Sequence, residues 1–323
     1  MESWNNGFSK QQSDLAALSF KGCQTLDHIC VCVCTYKRPQ LLLRLLGTLE
    51  RQISQGLFTY SAVIVDNDEN RSAESAVESF RRTSKLEVQY HLEPTRNISL
   101  ARNKAVAMSV GKYLALIDDD EFPEETWLYN LYATCLKYKA DCVLGPVEPY
   151  YEEKAPEWVV RGRLCEREHF QTGTSIKDPG DTRTGNVLVV KDICLEKPGP
   201  FDPGRGRSGG EDHEFFAWML NRGRSIFWCN EAPVYESVPS ERLKRTYFLK
   251  RGLLRGGLSG KTEKVISSGT IKSIVAVGLY TAALPLLALL GQHFFMRTLM
   301  KNCDHIGKLL GLCGIDLMRE RTF

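Results

Sequence analysis

Asp118, Asp119 and Asp120 follow directly on the apolar run Tyr113-Leu114-Ala115-Leu116-Ile117. The run reads as a buried strand, and three like charges beside a core are costly unless a cation neutralises them. A hard divalent ion would do so, gripping a substrate phosphate through one or two carboxylates. A solvated turn is the plainer alternative. A second candidate is Gly209-Gly210-Glu211-Asp212-His213-Glu214, a glycine turn that opens a helix. A carboxylate in a first helical turn is favoured by the helix dipole and stays ionised. Asp212 or His213 is then a general base for a hydroxyl nucleophile, or the acids simply cap the helix. Successive helical residues point about 100° apart, so only one of the two faces a site easily.

Arg96, Arg102 and Asn103 surround another helix start, Pro94-Thr95-Arg96-Asn97-Ile98-Ser99. Basic side chains there are solvated, bind phosphate, or position nearby acids. Residues 204–209 spell G-x-G-x-x-G, but the proline-rich residues 198–203 precede them instead of a strand. The dinucleotide reading fails on that context, which leaves a flexible loop contacting an anion or an acceptor.

These groups need a frame to hold them. Strand patterns fall at residues 29–34, 61–65, 86–91 and 113–117, with helical patterns at 39–52, 72–82 and 99–108 between them. Such alternation predicts a mostly parallel sheet covered by helices on both faces. Ligands bind such sheets at the carboxyl ends of the strands, where Thr35 to Pro39, Asp66-Asn67 and the three aspartates all fall. Beyond these, 127–138 reads as a helix, 141–147 and 184–190 as strands, and 211–221 as a short helix. The irregular stretch 149–181 is of a length usually functional or mobile.

With 323 residues, 43% hydrophobic and 25% charged, the chain can bury a large core in one α/β domain with an appendage, or in two domains. A net charge of +3 gives no reason to expect a nucleic-acid partner. Of 11 cysteines, Cys30, Cys32 and Cys34 alternate along one strand and share a face. With no C-x-x-C and an odd count, buried free thiols in a reducing compartment are expected. Residues 1–21 are polar and lack a secretory apolar core, which agrees with the cytosol.

The C-terminal part is different. Residues 241–272 carry nine Lys/Arg against Glu241 and Glu263, a net +7. Residues 274–291 are then uncharged and apolar around Pro285, with a weaker apolar stretch at 306–317. Their 18 residues fall just short of the roughly 20 that span a bilayer. Cations on both flanks favour an interfacial or re-entrant hairpin over a buried core helix or a single span.

Six segments occur in a telling order: VCVCTYKRP (31–39), VIVDN (63–67), RNISLARNKAV (96–106), LALIDDDEFP (114–123), TGNVLV (184–189) and GGEDHEF (209–215). This ordered set resembles the family 2 glycosyltransferases with the GT-A fold, above all the bacterial succinoglycan-type exopolysaccharide group. It covers roughly residues 28–256. The resemblance implies a mixed, mostly parallel sheet flanked by helices, followed by basic and apolar membrane-associating helices. Residues 1–27 would be an extension, 28–123 the nucleotide-sugar half, 124–240 the acceptor half with the base, and 241–323 the membrane segment.

Carried over by position, Thr35, Arg38, Asp66, Arg102, Asp118 and Asp119 would bind the nucleotide sugar, Asp66 through a base N–H. Asp118 and Asp120 would be the D-x-D pair, with Asp120 the direct ligand of Mg2+ or Mn2+. Asp212 would be the catalytic base of an inverting displacement. Two departures stand out. Glu236 occupies the place where many relatives carry a metal-binding histidine, so it is the third candidate ligand. The Q-x-x-R-W signature of processive enzymes is absent, with residues 251–257 in roughly that region, so one sugar per acceptor is expected.

The implied activity is hexose transfer from a nucleoside-diphosphate sugar, a UDP-sugar in the first place, to a polyprenyl-diphosphate-linked oligosaccharide. It would take place at the cytoplasmic face of the membrane, with peripheral or monotopic attachment through the tail. A sugar nucleotidyltransferase would want a glycine-rich loop after the first strand, and residues 35–39 have no glycine. A non-catalytic membrane scaffold would release no nucleotide from any donor, and a soluble binding module would need no detergent.

Overall fold

The computed structural model describes residues 26–206, 209–261, 264 and 267–315. The expected extension at 1–27 lies almost wholly outside the described residues, as do the middle of the 204–209 loop and the end of the 306–317 stretch.

The core is a seven-stranded sheet. Strands β1 (Asp27–Thr35), β2 (Phe58–Asp66), β3 (Val88–Leu92) and β4 (Tyr113–Asp118) are joined by helices α1 (Pro39–Leu49), α2 (Glu74–Thr83) and α3 (Ile98–Met108). These four strands run parallel in the order β3-β2-β1-β4. The sheet continues through β8 (Val187–Val190), antiparallel to both its neighbours, then β6 (Cys142–Leu144) and β9 (Ile226–Trp228). Mixed and mostly parallel, it matches the sequence expectation.

Side-chain alternation explains its two covered faces. Ile29, Val31 and Val33 enter one buried cluster with the Leu42, Leu45, Leu46 and Leu49 stripe of α1. Cys30 and Cys32 enter the opposite cluster with Ala101 and Ala105 of α3, and Cys34 packs against its edge. The three cysteines do share a face, and all ten described cysteines are free. Helix α3 starts where Asn97 caps it, accepting from the N–H of Ser99 at 3.0 Å and of Leu100 at 3.2 Å.

The strand expected at 141–147 is two strands in different sheets. β6 stops at Leu144, and β7 (Val147–Tyr151) joins β5 (Glu121–Pro123) and β10 (Val234–Val238) in a second sheet of order β5-β10-β7. Gly145 and Pro146 make the break. A Cβ on Gly145 would lie 2.5 Å from the Ala232 carbonyl, and Pro146 has no N–H for a ladder. The strand expected at 184–190 likewise shortens to 187–190, because Asn186 takes a φ of +66°. Helices α4 (Trp127–Tyr138) and α7 (Glu211–Asn221) have the expected limits; the short helices α5 (Glu157–Arg161) and α6 (Lys191–Leu195) were not foreseen.

The C-terminal part folds as three helices, α8 (Arg245–Lys261), α9 (Ser268–Leu290) and α10 (Gln292–Leu312). A small apolar cluster of Val159, Val238, Leu243, Phe248 and Met296 ties them to the second sheet. Helix α9 continues through Pro285 over 23 residues, long and apolar enough to cross a membrane, with a mean hydropathy of 2.1 in its most apolar window. Only 6% of that window is buried, which removes the core-helix alternative.

Candidate active site

The carboxyl ends of the central strands are level. Thr35 pairs in register with Asp66 across β1 and β2, and Cys34 with Asp118 across β1 and β4. The chain turns back after Asp118 into β5, and register sets Glu236 of β10 opposite Glu121. The acidic turn therefore lies where the two sheets meet, at the mouth of a cavity of about 730 Å³.

Arginines divide the acids among themselves. Thr35 Oγ1 donates to Asp119 Oδ2 at 2.8 Å, and Arg38 Nη1 donates to Asp119 Oδ1 at 3.1 Å and Asp120 Oδ2 at 3.0 Å. Both oxygens of the buried Asp119 are thus occupied. On the other side, Arg102 donates to Glu211 and reaches Asp118 Oδ1 at 3.4 Å. Burial opposes the charge of Arg102, but Asp118 and Glu211 outweigh it and hold its pKa above the usual arginine value. Arg167 and Arg242 both donate to Glu236, Arg242 at 2.8 Å.

The neighbouring acids strain one another. Burial pushes the Asp120 carboxyl up to about 7, and Asp118, Asp119 and Glu236 add to it. Burial also raises Glu121, whose carboxylate accepts the Asp118 N–H at 3.1 Å. Arg183 is the converse. Burial, then Arg167, pushes it down to about 10.

Helix α7 brings the remaining acid group. Gly209 and Gly210 take φ of +86° and +93° in succession, a left-handed pair that β-carbon-bearing residues avoid. This turn aims the first turn of the helix at the cavity, where Asp212 and His213 are both in the lining. Asp212 Oδ1 accepts its neighbour's N–H from His213 at 2.8 Å. Asp212 is half-buried and His213 exposed. Glu211 is buried, and its Oε2 has no hydrogen-bond partner.

Of the residues picked from sequence, Thr35, Arg38, Arg102, Asp118, Asp119, Asp120, Asp212 and Glu236 line this one cavity. Asp66 does not. It is fully buried, its Oδ1 accepting the Asp68 N–H at 3.0 Å and its Oδ2 the Ala73 N–H at 2.8 Å and the Tyr90 hydroxyl at 3.0 Å. It shapes the loop after β2, and the next residue, Asn67, lines the cavity instead. Glu236 lines the cavity as expected, and its two oxygens are engaged by Arg167 and Arg242. Sequence reasoning passed over Glu121, Arg167, Arg183 and Arg242. The long irregular stretch 149–181 signalled Arg167, since it supplies part of the cavity wall.

A divalent ion fits this donor set only together with a ligand. Among the described residues no three or more His, Cys, Asp or Glu are grouped to hold a metal. Asp118 and the charge-crowded Asp120 offer two carboxylates, which suffices for an ion that draws its other oxygens from a bound diphosphate.

Fold and cavity define a protein that works on ligands at the strand ends of an α/β sheet. The sequence model of glycosyl transferase family 2 matches residues 30–188. The succinoglycan biosynthesis protein ExoM of Rhizobium meliloti (strain 1021) is 31% identical over 301 residues, 91% of this chain and 95% of that protein. The glycosyltransferase AglE of Haloferax volcanii is 27% identical over 241 residues, 72% of this chain and 74% of its own. Also similar is the glucosyl-dolichyl phosphate glucuronosyltransferase of Haloferax volcanii, 26% identical over 190 residues, 56% of this chain and 58% of its own. Among solved structures, S. aureus TarS residues 1–349 in complex with UDP superimposes with a TM-score of 0.52 at 15% identity, covering 89% of this chain and 92% of that one. The chain has the GT-A fold and belongs to glycosyl transferase family 2.

Proposed function

We propose that the chain transfers one hexose, with inversion, from a UDP-sugar to a lipid-linked oligosaccharide during surface polysaccharide assembly. The observation that carries this reading is that Asp118 and Asp120 of the acidic turn and Asp212 of α7 line a single cavity. The named role of the R. meliloti relative supports the polysaccharide setting. A glucosyl-dolichyl phosphate acceptor in the name of one relative supports a lipid-linked substrate here, and the UDP complex of TarS supports the donor class.

Residues 28–123 bind the donor. Asp118 and Asp120 would hold Mg2+ or Mn2+ against its diphosphate, while Arg38 and Arg102 keep these carboxylates in place. A bound divalent ion offsets charge developing on the leaving diphosphate. Residues 124–240 present the acceptor hydroxyl to Asp212. As that oxygen attacks the anomeric carbon, Asp212 takes its proton. The bond from the anomeric carbon to the phosphate oxygen breaks on the opposite face, its electron pair leaves with the nucleoside diphosphate, and the configuration inverts. Asp212 is favoured over His213 as the base because it is half-buried where His213 is exposed.

The exposed apolar helix α9 and the basic residues before it support attachment to the cytoplasmic face of the membrane. Anionic lipids attract such Lys and Arg by about 1 kcal/mol each near the surface. The test is release of UDP from a panel of UDP-sugars by the full-length protein with membrane-extracted lipid acceptor and Mn2+. One donor should turn over, and only with acceptor present. No release from any donor would leave the chain a scaffold with this fold.

A further inference from the structure

Eight arginines and six carboxylates line the cavity, an excess of two positive charges. The donor does not cancel it. A nucleoside-diphosphate sugar carries two negative charges, and the divalent ion that comes with it carries two positive ones. Asp304 offsets Arg255 from outside the lining, so one positive charge of the cavity is left over for a further anion.

The arginines differ in what they already hold. Arg38, Arg102, Arg167 and Arg242 are each paired with carboxylates of the same cavity. Arg255 reaches outward to Asp304 of α10, its Nε donating at 2.7 Å. Arg251 lines the cavity, is exposed, and has no ion pair among the described residues. Arg251 and Arg255 are one turn apart on α8, so their side chains leave the same face.

Helix α8 is also the wall that leads to the membrane helix, and it is held rigidly. Its Gly256 and Gly260 lie so close to α10 that a Cβ would come within 1.8 Å of the Asp304 carbonyl oxygen and 2.2 Å of that of Lys308. From α10, a Cβ on Gly307 would lie 2.1 Å from the Leu253 carbonyl oxygen and one on Gly311 2.4 Å from that of Gly257. Helix α10 in turn bonds α9, Asn302 Nδ2 donating to Thr281 Oγ1 at 3.0 Å and His305 Nδ1 lying 3.1 Å from Ser273 Oγ. The position of Arg251 is thus fixed relative to the exposed apolar surface of Ile274, Leu279 and Leu286.

We propose that Arg251, with Arg255 beside it, binds the diphosphate of the lipid-linked acceptor as it enters the cavity from the membrane. The inference rests on the donor-and-acceptor reading above and adds the residues that recognise the acceptor's anionic head. A guanidinium suits the task because its planar donors meet phosphate oxygens in pairs. The lipid tail would stay along α9 while the glycan extends inward to Asp212.

The test uses the full-length protein and phosphatidylcholine nanodiscs containing undecaprenyl diphosphate, with nanodiscs of equal charge from phosphatidylglycerol for comparison. The diphosphate lipid should bind more tightly than phosphatidylglycerol. Arg251→Gln should weaken diphosphate-lipid binding by about tenfold, as loss of one charge-assisted hydrogen bond does. Its UDP affinity with Mn2+ should stay at the wild-type value, which also shows that the variant is folded. Arg251→Lys, keeping the charge, should recover part of the lipid affinity. Equal binding of R251Q and wild type to the diphosphate lipid would overturn the proposal. So would a parallel loss of UDP affinity, which would give Arg251 to the donor, or equal binding of phosphatidylglycerol, which would make it a general membrane contact. Wild-type protein that binds the lipid but not UDP would count against the donor assignment alone.

Discussion

The acids of the site differ in what each already holds, and that sorts their roles. Asp119 has both oxygens bonded, to Thr35 and Arg38, so it braces the turn, whereas Asp120, although it shares Arg38 and lies near Arg242, is pushed up to about 7 by burial and by Asp118, Asp119 and Glu236. The sign of the resulting pH dependence follows. The native state holds the Asp120 proton more tightly than the unfolded chain, whose carboxyl titrates near 3.8. Its contribution to stability is full below about pH 4 and is lost as pH rises through about 7. Metal-free protein should therefore lose on the order of a few kcal/mol over that interval, and Asp120→Asn should flatten the loss in thermal unfolding followed against pH. Mn2+ should raise the midpoint more at about pH 8 than at about pH 6, since the ion and the proton compete for one carboxylate. Arg102→Met should be costlier, by roughly 3–5 kcal/mol in urea unfolding, because it strands the buried Glu211 without its partner. The sequence disclosed the acids but not this division, because the arginines at 167, 183 and 242 come from segments without a regular pattern. The bonds that Asp66 makes to its own loop were hidden for a related reason. A strand-end aspartate looks the same in sequence whether it faces a ligand or, as here, its own loop.

At the scale of elements, most of the frame was legible where a strong period met clear ends. The leucine stripe of α1, with Pro39 in its first turn, and the apolar β4 are examples. The division between β6 and β7 was not, because a short apolar run does not say which sheet its second half joins. The glycines of α8 were also silent in sequence, since a glycine in a helix ordinarily only weakens it. In place they let two helices touch backbone to backbone. Gly256→Ala should cost about 1–3 kcal/mol in thermal unfolding and reduce acceptor-dependent turnover, because its Cβ meets a backbone oxygen at 1.8 Å. Gly278→Ala on α9, with nothing within 4 Å of its Cβ, should instead be neutral or stabilise by up to about 1 kcal/mol.

Across the whole molecule, one end of the sheet gathers the chemistry and a three-helix appendage carries the apolar surface. The excess of Lys and Arg at 241–272 looked like a membrane-facing patch from sequence. Folding divides it, since Arg242, Arg251 and Arg255 line the cavity. The apolar surface for the proposed membrane attachment then lies mainly on α9, where Ile274, Leu279, Leu286 and Leu289 are all more than half exposed. Replacing these four by glutamine should move the full-length protein from the liposome fraction to the supernatant in flotation, with UDP affinity unchanged. Retention on liposomes would assign attachment to the basic residues instead.

In the proposed mechanism the acidic turn holds the donor while α7 supplies the base, and substitution of Asp212 separates the two most directly. Asp212→Asn should bind UDP and Mn2+ in calorimetry as the wild type does, yet transfer sugar about 10²- to 10⁴-fold more slowly. Transfer by that variant at a near-normal rate would contradict it.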